Sequence, residues 1–297
     1  MKSNPNFLFI GGARCGTTSI YHFLKTHPEA FVPFIKEVNY FSDLFDEMSL
    51  DKYKTEYFNV DTDYKILTEI SPKYLYSLKS PERIFKSLGN INFGLILRDP
   101  VTRCWSQYIG RKKIGNEKRS FSEIVENEIN FHQNNNFFYD ENNCNYLSRG
   151  MYSYYIKNYM KFFSIKNFKI FFYDDLDSNP NFFFHNLCSQ LGISLIDYPD
   201  THTKFNSSFV DYHFLLLKKI LWNKNISMRF LREVLKTFIP RVYRPIIVNF
   251  IERINIKNTY SLSMNAKDRD MLIEFFKPHN KDLEILLGLK LPNTWYK

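Results

Sequence analysis

The chain has 297 residues, enough to bury one large core or a domain with a smaller appendage. Its 40 lysines and arginines against 31 acids leave a formal charge of +9, which favours anionic ligands: nucleotides, sulfated or phosphorylated substrates, nucleic acid or a membrane surface. No apolar run reaches the ~18 residues of a membrane span, and the four cysteines show neither metal-ligand spacing nor a disulfide framework, which argues against membrane-spanning and disulfide-rich classes.

Apolar runs of strand length alternate with helical patterns over the first two thirds of the chain. Strands are predicted, in chain order, at residues 7–10, 65–70, 93–97 and 168–173. Helices are predicted at 17–26, 100–111 and 181–191, the second opened by Pro100 and the third stopped by Gly192. This repetition of strand, crossover helix and strand predicts an α/β fold, a P-loop-like parallel sheet flanked by helices on both faces.

Two later segments have different compositions. Residues 130–145 are polar and rich in asparagine, which predicts a flexible surface loop or a lid. Residues 209–257 are helical in pattern, basic and amphipathic, and fit a helical layer on the sheet, a cap over the site, or membrane-surface contact by 215–257. We therefore expect a single domain over 1–297, with 209–257 as a helical insertion or cap.

The first motif is the loop in FLFIGGARCGTTSIYHFL, residues 7–24. Its glycines let backbone amides approach an anion, and the helix that follows adds free N–H groups and a positive dipole end. Gly11 and Gly16 have the spacing of a phosphate-binding Walker loop, but Thr17 stands where that loop carries lysine. Arg14 supplies a cation inside the loop instead. An ordinary strand-to-helix turn would not need this cation and the hydroxyls beside it, so an anion site is predicted.

The second motif is FGLILRDPVTRCWSQY at residues 93–108, where Arg98 follows a buried strand and Ser106 lies in the next helix. Ligands of open α/β sheets bind at the carboxyl ends of the strands, so Arg98 is expected near the first loop. A guanidinium group and a hydroxyl together suit a phosphate monoester. The alternative is that Arg98 pairs with Asp99 or another acid.

Together the two motifs resemble the PAPS-dependent sulfotransferases. In that family a strand–loop–helix binds the 5′-phosphosulfate of 3′-phosphoadenosine 5′-phosphosulfate (PAPS), and a later Arg and Ser bind its 3′-phosphate. The likeness is closer to the glycan-type branch, the heparan sulfate sulfotransferases and bacterial relatives, than to the cytosolic branch. It extends to KEVNYF, TEISPKYLYS, RGMYSYYIKNYMKFF and the ending LIEFFKPHNKDLEILLGLKLPNTWYK, and covers residues 7 to about 195 and 260 to 297.

The resemblance implies roles for individual residues. The 5′-phosphosulfate would be held by Arg14, Gly16, Thr17, Thr18 and Ser19. Arg98 and Ser106 would bind the 3′-phosphate, and Glu37 would be the general base that takes a proton from an acceptor hydroxyl or amine. Arg14 would also stabilise charge on the leaving phosphate, so that no metal is required. Without the resemblance, Glu37 would be interpreted as a surface or helix-capping acid paired with Lys36.

Three positions depart from the glycan-type pattern. A loop lysine of many members is Arg14 here, a histidine near the base is Asn39, and the lysine of their TEKTP-like segment is Ile70, with Lys73 displaced by three positions. The last two lie on the acceptor side, so a small metabolite or natural product is as plausible an acceptor as a carbohydrate. Candidate acceptor-side residues are Lys36, Asn39, Lys73, Arg149 and Tyr152, of which Tyr152 also fits a core position.

Two competing functions remain open at this point. A P-loop kinase shares the loop, but the Walker lysine and an obvious magnesium-binding acid at a strand end are missing. A basic protein that binds nucleic acid or an anionic membrane surface would explain the charge. We expect neither nucleic acid as a partner nor a metal cofactor. Because MKSNPN leads directly into a strand without a signal peptide, a cytoplasmic location is expected.

Overall fold

A parallel sheet forms the centre of the protein, described by a computed structural model over residues 4–60, 63–134, 145–197, 209–212, 256–260 and 263–297. Its strands are β1 (Phe7–Gly11), β2 (Ala30–Phe31), β3 (Ile66–Ile70), β4 (Asn92–Leu97) and β5 (Phe168–Phe172). The spatial order is β2-β3-β1-β4-β5, and every pair is parallel. From β1 the chain runs to the edge strand β2 and returns to β3 beside β1. It then crosses to β4 and β5 on the other side, so the strand order reverses at β1.

Helices connect and cover these strands. They are α1 (Thr17–Thr26), α2 (Leu50–Tyr57), α3 (Lys73–Tyr76), α4 (Ser80–Leu88), α5 (Pro100–Lys113), α6 (Phe121–Asn134), α7 (Tyr152–Tyr159), α8 (Tyr173–Ser178), α9 (Pro180–Leu191) and α10 (Ala266–Leu287). A π-helical turn spans Tyr40–Leu44, and 3₁₀ turns span Ser148–Gly150, Ile165–Asn167 and Asn293–Tyr296. Within the ranges described, no helix combines the length and apolar character needed to cross a membrane.

Alternate side chains of β1 enter two different cores, because successive residues of a strand point to opposite faces. Phe7 and Phe9 pack in the core that α1 and α9 cover, whereas Leu8 and Ile10 pack in the core that α3 and α7 cover. Gly94 in β4 makes room for this packing, since a Cβ there would lie 2.3 Å from the Phe9 ring. The predicted α/β sheet with helices on both faces is confirmed.

The predicted elements agree with the structure to within two residues at most ends. Gly192 ends α9 in the left-handed conformation at φ 68°, as expected of a glycine stop. The two-residue strand β2 was not predicted, because so short a segment carries no periodic pattern.

The prediction of a loop at residues 130–145 is wrong at its start. Helix α6 continues to Asn134, because Phe121, Ile124, Val125 and Ile129 keep helical spacing and pack beside α10 in a third core. Residues 135–144 of the predicted loop lie outside the described residues.

The helical prediction for residues 209–257 is wrong at both of its ends. Phe209–Tyr212 and Ile256–Tyr260 are strands, β6 and β7, which form an antiparallel pair. Their sequences, FVDY and IKNTY, contain the β-branched and aromatic residues that favour strands. Residues 213–255 lie outside the described residues, so a helical insertion or cap there stays a prediction.

Candidate active site

The loop between β1 and α1 lies at the carboxyl edge of the sheet, where the strand order reverses. Gly16 precedes the helix at φ 89°, a left-handed conformation, and a Cβ there would lie 2.6 Å from the side chain of Leu176. Among the described residues no side chain caps this helix, and its first turn, which holds Thr17, Thr18 and Ser19, contains no acid. Free amides, hydroxyls and a positive dipole end therefore make this turn suitable for an anion.

The two sequence motifs meet through Arg14 and Arg98. Nη1 of Arg98 donates to the carbonyl oxygen of Arg14 at 3.2 Å, and Nε of Arg14 donates to Oγ of Ser106 at 3.3 Å. The Arg98 guanidinium also lies over the Tyr173 ring, 4.2 Å from its centroid, and its Nε donates to Oγ1 of Thr102 at 3.2 Å. The loop residue and both residues of the second motif thus share one site.

Asp99 does not pair with Arg98, the alternative that the sequence left open. Its carboxylate accepts from the backbone N–H groups of Val101 and Thr102, both at 3.1 Å, and so caps α5. Burial raises the pKa of Asp99. In the part of the chain that the structure describes, neither Arg14 nor Arg98 forms an ion pair with a carboxylate.

Burial, together with the positive charge of the site, lowers the pKa of Arg14. Solvent reaches this guanidinium, but protein surrounds much of it, and the resulting desolvation is the main cause of the shift. Repulsion from Arg98 and Arg103 adds to it, and attraction from Glu37 opposes it. Arginine remains charged under all ordinary conditions, so the site keeps its cations.

Glu37, in the segment after β2, lies near enough to the site to oppose the lowering of the Arg14 pKa. Its side chain is 46% exposed and forms an ion pair with Lys36, the partner expected of a surface acid at this position. The residue has φ 62°, and Asn39 has φ 58°, a left-handed conformation that few residues other than glycine adopt. Strained backbone of this kind is concentrated at functional sites, which makes Glu37 a candidate catalytic group.

Two of the acceptor-side candidates are held by other residues. Nζ of Lys73 forms an ion pair with Oδ1 of Asp43 at 2.5 Å. The backbone N–H of Asn39 donates to Oγ of Ser71 at 3.2 Å, and the Oδ1 atom of Asn39 is buried without a hydrogen-bond partner among the described residues.

Of the remaining candidates, Lys36 pairs with Glu37, and Arg149 and Tyr152 differ from each other in exposure. The Arg149 guanidinium lies 5.2 Å from the centroid of the Tyr76 ring and is partly exposed. Tyr152 is only 1% exposed, and its hydroxyl donates to the carbonyl oxygen of Arg98 at 2.9 Å. It occupies the core position that its sequence context also allowed, and it supports the main chain at Arg98.

The comparison with protein families decides the assignment. A family model described as a sulfotransferase domain matches residues 4–213, more than half of the chain. The chain belongs to the sulfotransferase family. This sulfotransferase is 30% identical over 132 residues to the membrane-associated sulfotransferase kil1 of Dictyostelium discoideum, a match that covers 42% of this chain and 28% of that protein.

Further similarities support the same family and fold. The sulfotransferase is 24% identical over 186 residues to the mouse heparan sulfate glucosamine 3-O-sulfotransferase 5, covering 59% of this chain and 50% of that protein. It therefore spans half or less of the length of both curated relatives. A solved sulfotransferase from Alicyclobacillus acidocaldarius shares the fold with a TM-score of 0.69 at 20% identity, over 99% of this chain and 100% of that one.

Three residues support the site in ways that the sequence did not predict. Tyr76 accepts a hydrogen bond from the backbone N–H of Ala13 at 3.1 Å, and Tyr173 lies under Arg98. Arg103 is fully buried and donates to Oε1 of Gln107 at 2.7 Å. The sequence signal was weak, since it consisted only of the spacing of Arg103 and Gln107, one helical turn apart.

Proposed function

We propose that this sulfotransferase transfers a sulfonate group from PAPS to a hydroxyl or amine of a carbohydrate or small-molecule acceptor, with Glu37 as general base. The observation that carries the proposal is the contact between Arg14 and Arg98, two cations from separate strand ends with no carboxylate partner in the described ranges. Two adjacent guanidinium groups repel each other, so an anionic ligand is needed to compensate them. PAPS carries anionic groups at both its 5′ and its 3′ positions.

The residues present suit PAPS. Its 5′-phosphosulfate would be held by Arg14 and by the amides and hydroxyls of Gly16, Thr17, Thr18 and Ser19. Its 3′-phosphate would be held by Arg98 and Ser106 through a guanidinium fork and a hydroxyl. The hydrogen bond from Arg14 to Ser106 supports adjacent binding positions for the two anionic groups. When bound, PAPS supplies the activated sulfonate.

In this transfer the protein's own residues position the reacting groups and accept one proton from the acceptor. Glu37 accepts the proton of the acceptor hydroxyl or amine, which makes that atom a better nucleophile; such help is typically worth about 10² to 10⁴ in rate. Lys36, in contact with Glu37, restricts the direction of the carboxylate. Arg14 stabilises negative charge without giving up its own proton, because arginine is too weak an acid to donate one.

The test uses purified protein with sulfur-labelled PAPS and two acceptors, glucosamine and p-nitrophenol, with water alone as the blank for hydrolysis. We expect transfer of the label to at least one acceptor, with the mass gain of one sulfonate. We also expect 3′-phosphoadenosine 5′-phosphate (PAP), but not ATP, to raise the melting temperature.

The Arg98→Ala variant should lose the PAP-induced stabilisation, whereas Arg111→Ala, in the helix that follows Arg98, should keep it. Stabilisation by ATP with phosphate transfer would instead support a P-loop kinase. Binding of nucleic acid or anionic vesicles without any effect of PAP would support a basic binding protein. Either result would overturn the proposal, as would the absence of label transfer.

A further inference from the structure

The segment that carries Glu37 is fixed on both of its sides. Before it, the hydroxyl of Tyr21 donates to the carbonyl oxygens of Pro33 and Phe34 at 3.1 and 2.8 Å. After it, the carbonyl oxygen of Phe41 accepts from Oγ of Ser80 at 3.1 Å. Glu37 therefore lies in a short segment whose main chain is held at Phe34 on one side and at Phe41 on the other.

Two hydroxyls hold the backbone amides just after Glu37. Oγ of Ser71 accepts from the N–H of Asn39 at 3.2 Å, and the hydroxyl of Tyr74 accepts from the N–H of Phe41 at 3.1 Å. Both hydroxyls come from the segment that follows β3. The amide of Asn39 belongs to a left-handed residue, so its hydrogen bond helps to maintain a backbone conformation that is otherwise unfavourable.

A buried carboxyl group orients these hydroxyls. Glu69 is 1% exposed, and the hydroxyl of Tyr74 donates to its Oε1 atom. Because a phenol has a single hydrogen, a Tyr74 hydroxyl that donates to Glu69 must turn its lone pairs toward the amide of Phe41. Ser71 also lies near enough to influence the ionisation of Glu69 through hydrogen bonding.

This carboxyl group is costly to the fold. It has no ion-pair partner in the described part of the chain, and its Oε2 atom is buried without a hydrogen-bond partner there. Burial raises its pKa to about 7, against the weaker opposing effect of the neighbouring Tyr74, Tyr53 and Ser71 hydroxyls. A buried acid that does not stabilise the core is a candidate for a role in the neighbouring site.

We propose that Glu69, Ser71 and Tyr74 are positioning residues, which direct the Glu37 carboxylate by holding the main chain at Asn39 and Phe41. The inference rests on the proposed role of Glu37 as base. If the amide of Asn39 lost its acceptor, the left-handed backbone would be free to relax and the carboxylate would move. Misplacement by about 1 Å can reduce a catalysed rate about 10²-fold.

The experiment measures label transfer from PAPS to glucosamine and to p-nitrophenol in Ser71→Ala and Tyr74→Phe. We expect transfer to fall about ten-fold or more in Ser71→Ala, and less in Tyr74→Phe because Ser80 still holds Phe41. The PAP-induced thermal shift should be unchanged in both. Ser71→Thr and Glu69→Gln, which keep a hydroxyl and a neutral acceptor oxygen, should retain most of the transfer rate.

Matched controls separate positioning from general destabilisation. Ser77→Ala removes another buried serine of the same segment, and Tyr159→Phe removes a buried hydroxyl that donates to the carbonyl of Tyr74 at 2.9 Å. Both should lose comparable stability without losing transfer. Hydrogen exchange of the peptide that contains residues 37–41 should accelerate in Ser71→Ala and not in Ser77→Ala.

The outcomes distinguish this inference from the proposed function. If Ser71→Ala transfers label as fast as Ser77→Ala, or if exchange at 37–41 is unaltered, the positioning role is wrong while the base assignment stands. If Glu37→Gln itself retains full transfer, the base assignment fails, and this inference fails with it. If Ser71→Ala does not fold, Ser71→Thr and hydrogen exchange in Tyr74→Phe decide the matter by the same criteria.

Discussion

Arg98 reaches across the edge of the sheet and donates a hydrogen bond to the main-chain carbonyl of Arg14. The contact follows from the pairing of β1 with β4, which brings the carboxyl ends of these strands side by side. Because Arg98 uses the backbone of Arg14, the two guanidinium groups are adjacent but do not compete for one partner. The two motifs, far apart in sequence, therefore contribute their cations to one site.

Replacement of Arg98 should weaken PAP binding. Charge-assisted hydrogen bonds contribute about 1.5–3 kcal/mol each, so Arg98→Ala should raise the dissociation constant of PAP about ten- to hundred-fold in a calorimetric titration. Arg98→Lys should be intermediate, since lysine keeps the charge but loses the fork and the stacking on Tyr173. Equal affinities for the wild type and Arg98→Ala would contradict the assignment.

Replacement of Glu37 should separate turnover from binding. Glu37→Gln keeps the shape of the side chain but cannot accept a proton, so label transfer should fall about 10² to 10⁴-fold while PAP affinity stays the same. Glu47→Gln, an exposed acid further along the same segment, is the control and should leave both unchanged. Retention of full turnover in Glu37→Gln would show that another group is the base.

Substitution of Gly16 should damage both the fold and the loop. Gly16→Ala introduces a Cβ only 2.6 Å from Leu176 at a residue with φ 89°. At Gly192, with φ 68° and ψ 29°, an added Cβ would have no neighbouring atom within 4 Å, so Gly192→Ala carries the backbone penalty alone, about 1–2 kcal/mol. Urea denaturation should show a larger loss for Gly16→Ala, and PAP should no longer raise its melting temperature. Equal losses of unfolding free energy in the two variants would mean that the Leu176 side chain moves aside at no cost in stability.

Glu69 should make stability depend on pH. Burial raises its pKa from 4.5 to about 7, so between these values the folded protein binds a proton that the unfolded chain releases. The contribution of Glu69 to stability is therefore complete below about pH 4.5 and is lost as the pH rises to about 7. The change amounts to about 3 kcal/mol at most.

Glu69→Gln is neutral at every pH and should remove this dependence. Its free energy of unfolding, relative to the wild type, should increase between pH 4.5 and 7 in urea titrations. The plot of unfolding free energy against pH for the surface variant Glu47→Gln should run parallel to that of the wild type. If the plot for Glu69→Gln also ran parallel to that of the wild type, burial would not raise the pKa of the Glu69 carboxyl group.

Much of the fold was predictable because its signals are local. Four of the five strands are apolar runs of ordinary length, and glycine or proline marks the ends of the helices between them. The meeting of Arg14 and Arg98 was also predictable, since both follow strands and ligands gather at the carboxyl ends of parallel strands. The ends of the 209–257 segment were not, because short strands flanking a long helical pattern have too few residues to be recognised.

The surroundings of the candidate base could not be predicted, because they depend on partners distant in the chain. Lys73 pairs with Asp43, and Glu69 is buried against Tyr53 and Tyr74, although an acid in a strand is ordinarily expected at the surface. The left-handed backbone of Glu37 carries no sequence signal, since glycine, the residue that usually marks it, is absent there.

The buried guanidinium of Arg103 gives the site a charge that dissolved ions cannot reach. It is fully enclosed, donates to the backbone carbonyl of Tyr146 and to Gln107, and lowers the pKa of Arg14 from inside the protein. Counter-ions screen surface charges over about 10 Å at ordinary ionic strength, but they do so only where solvent penetrates. Part of the attraction for an anion should therefore persist in concentrated salt, which screens the attraction exerted by fully exposed basic residues.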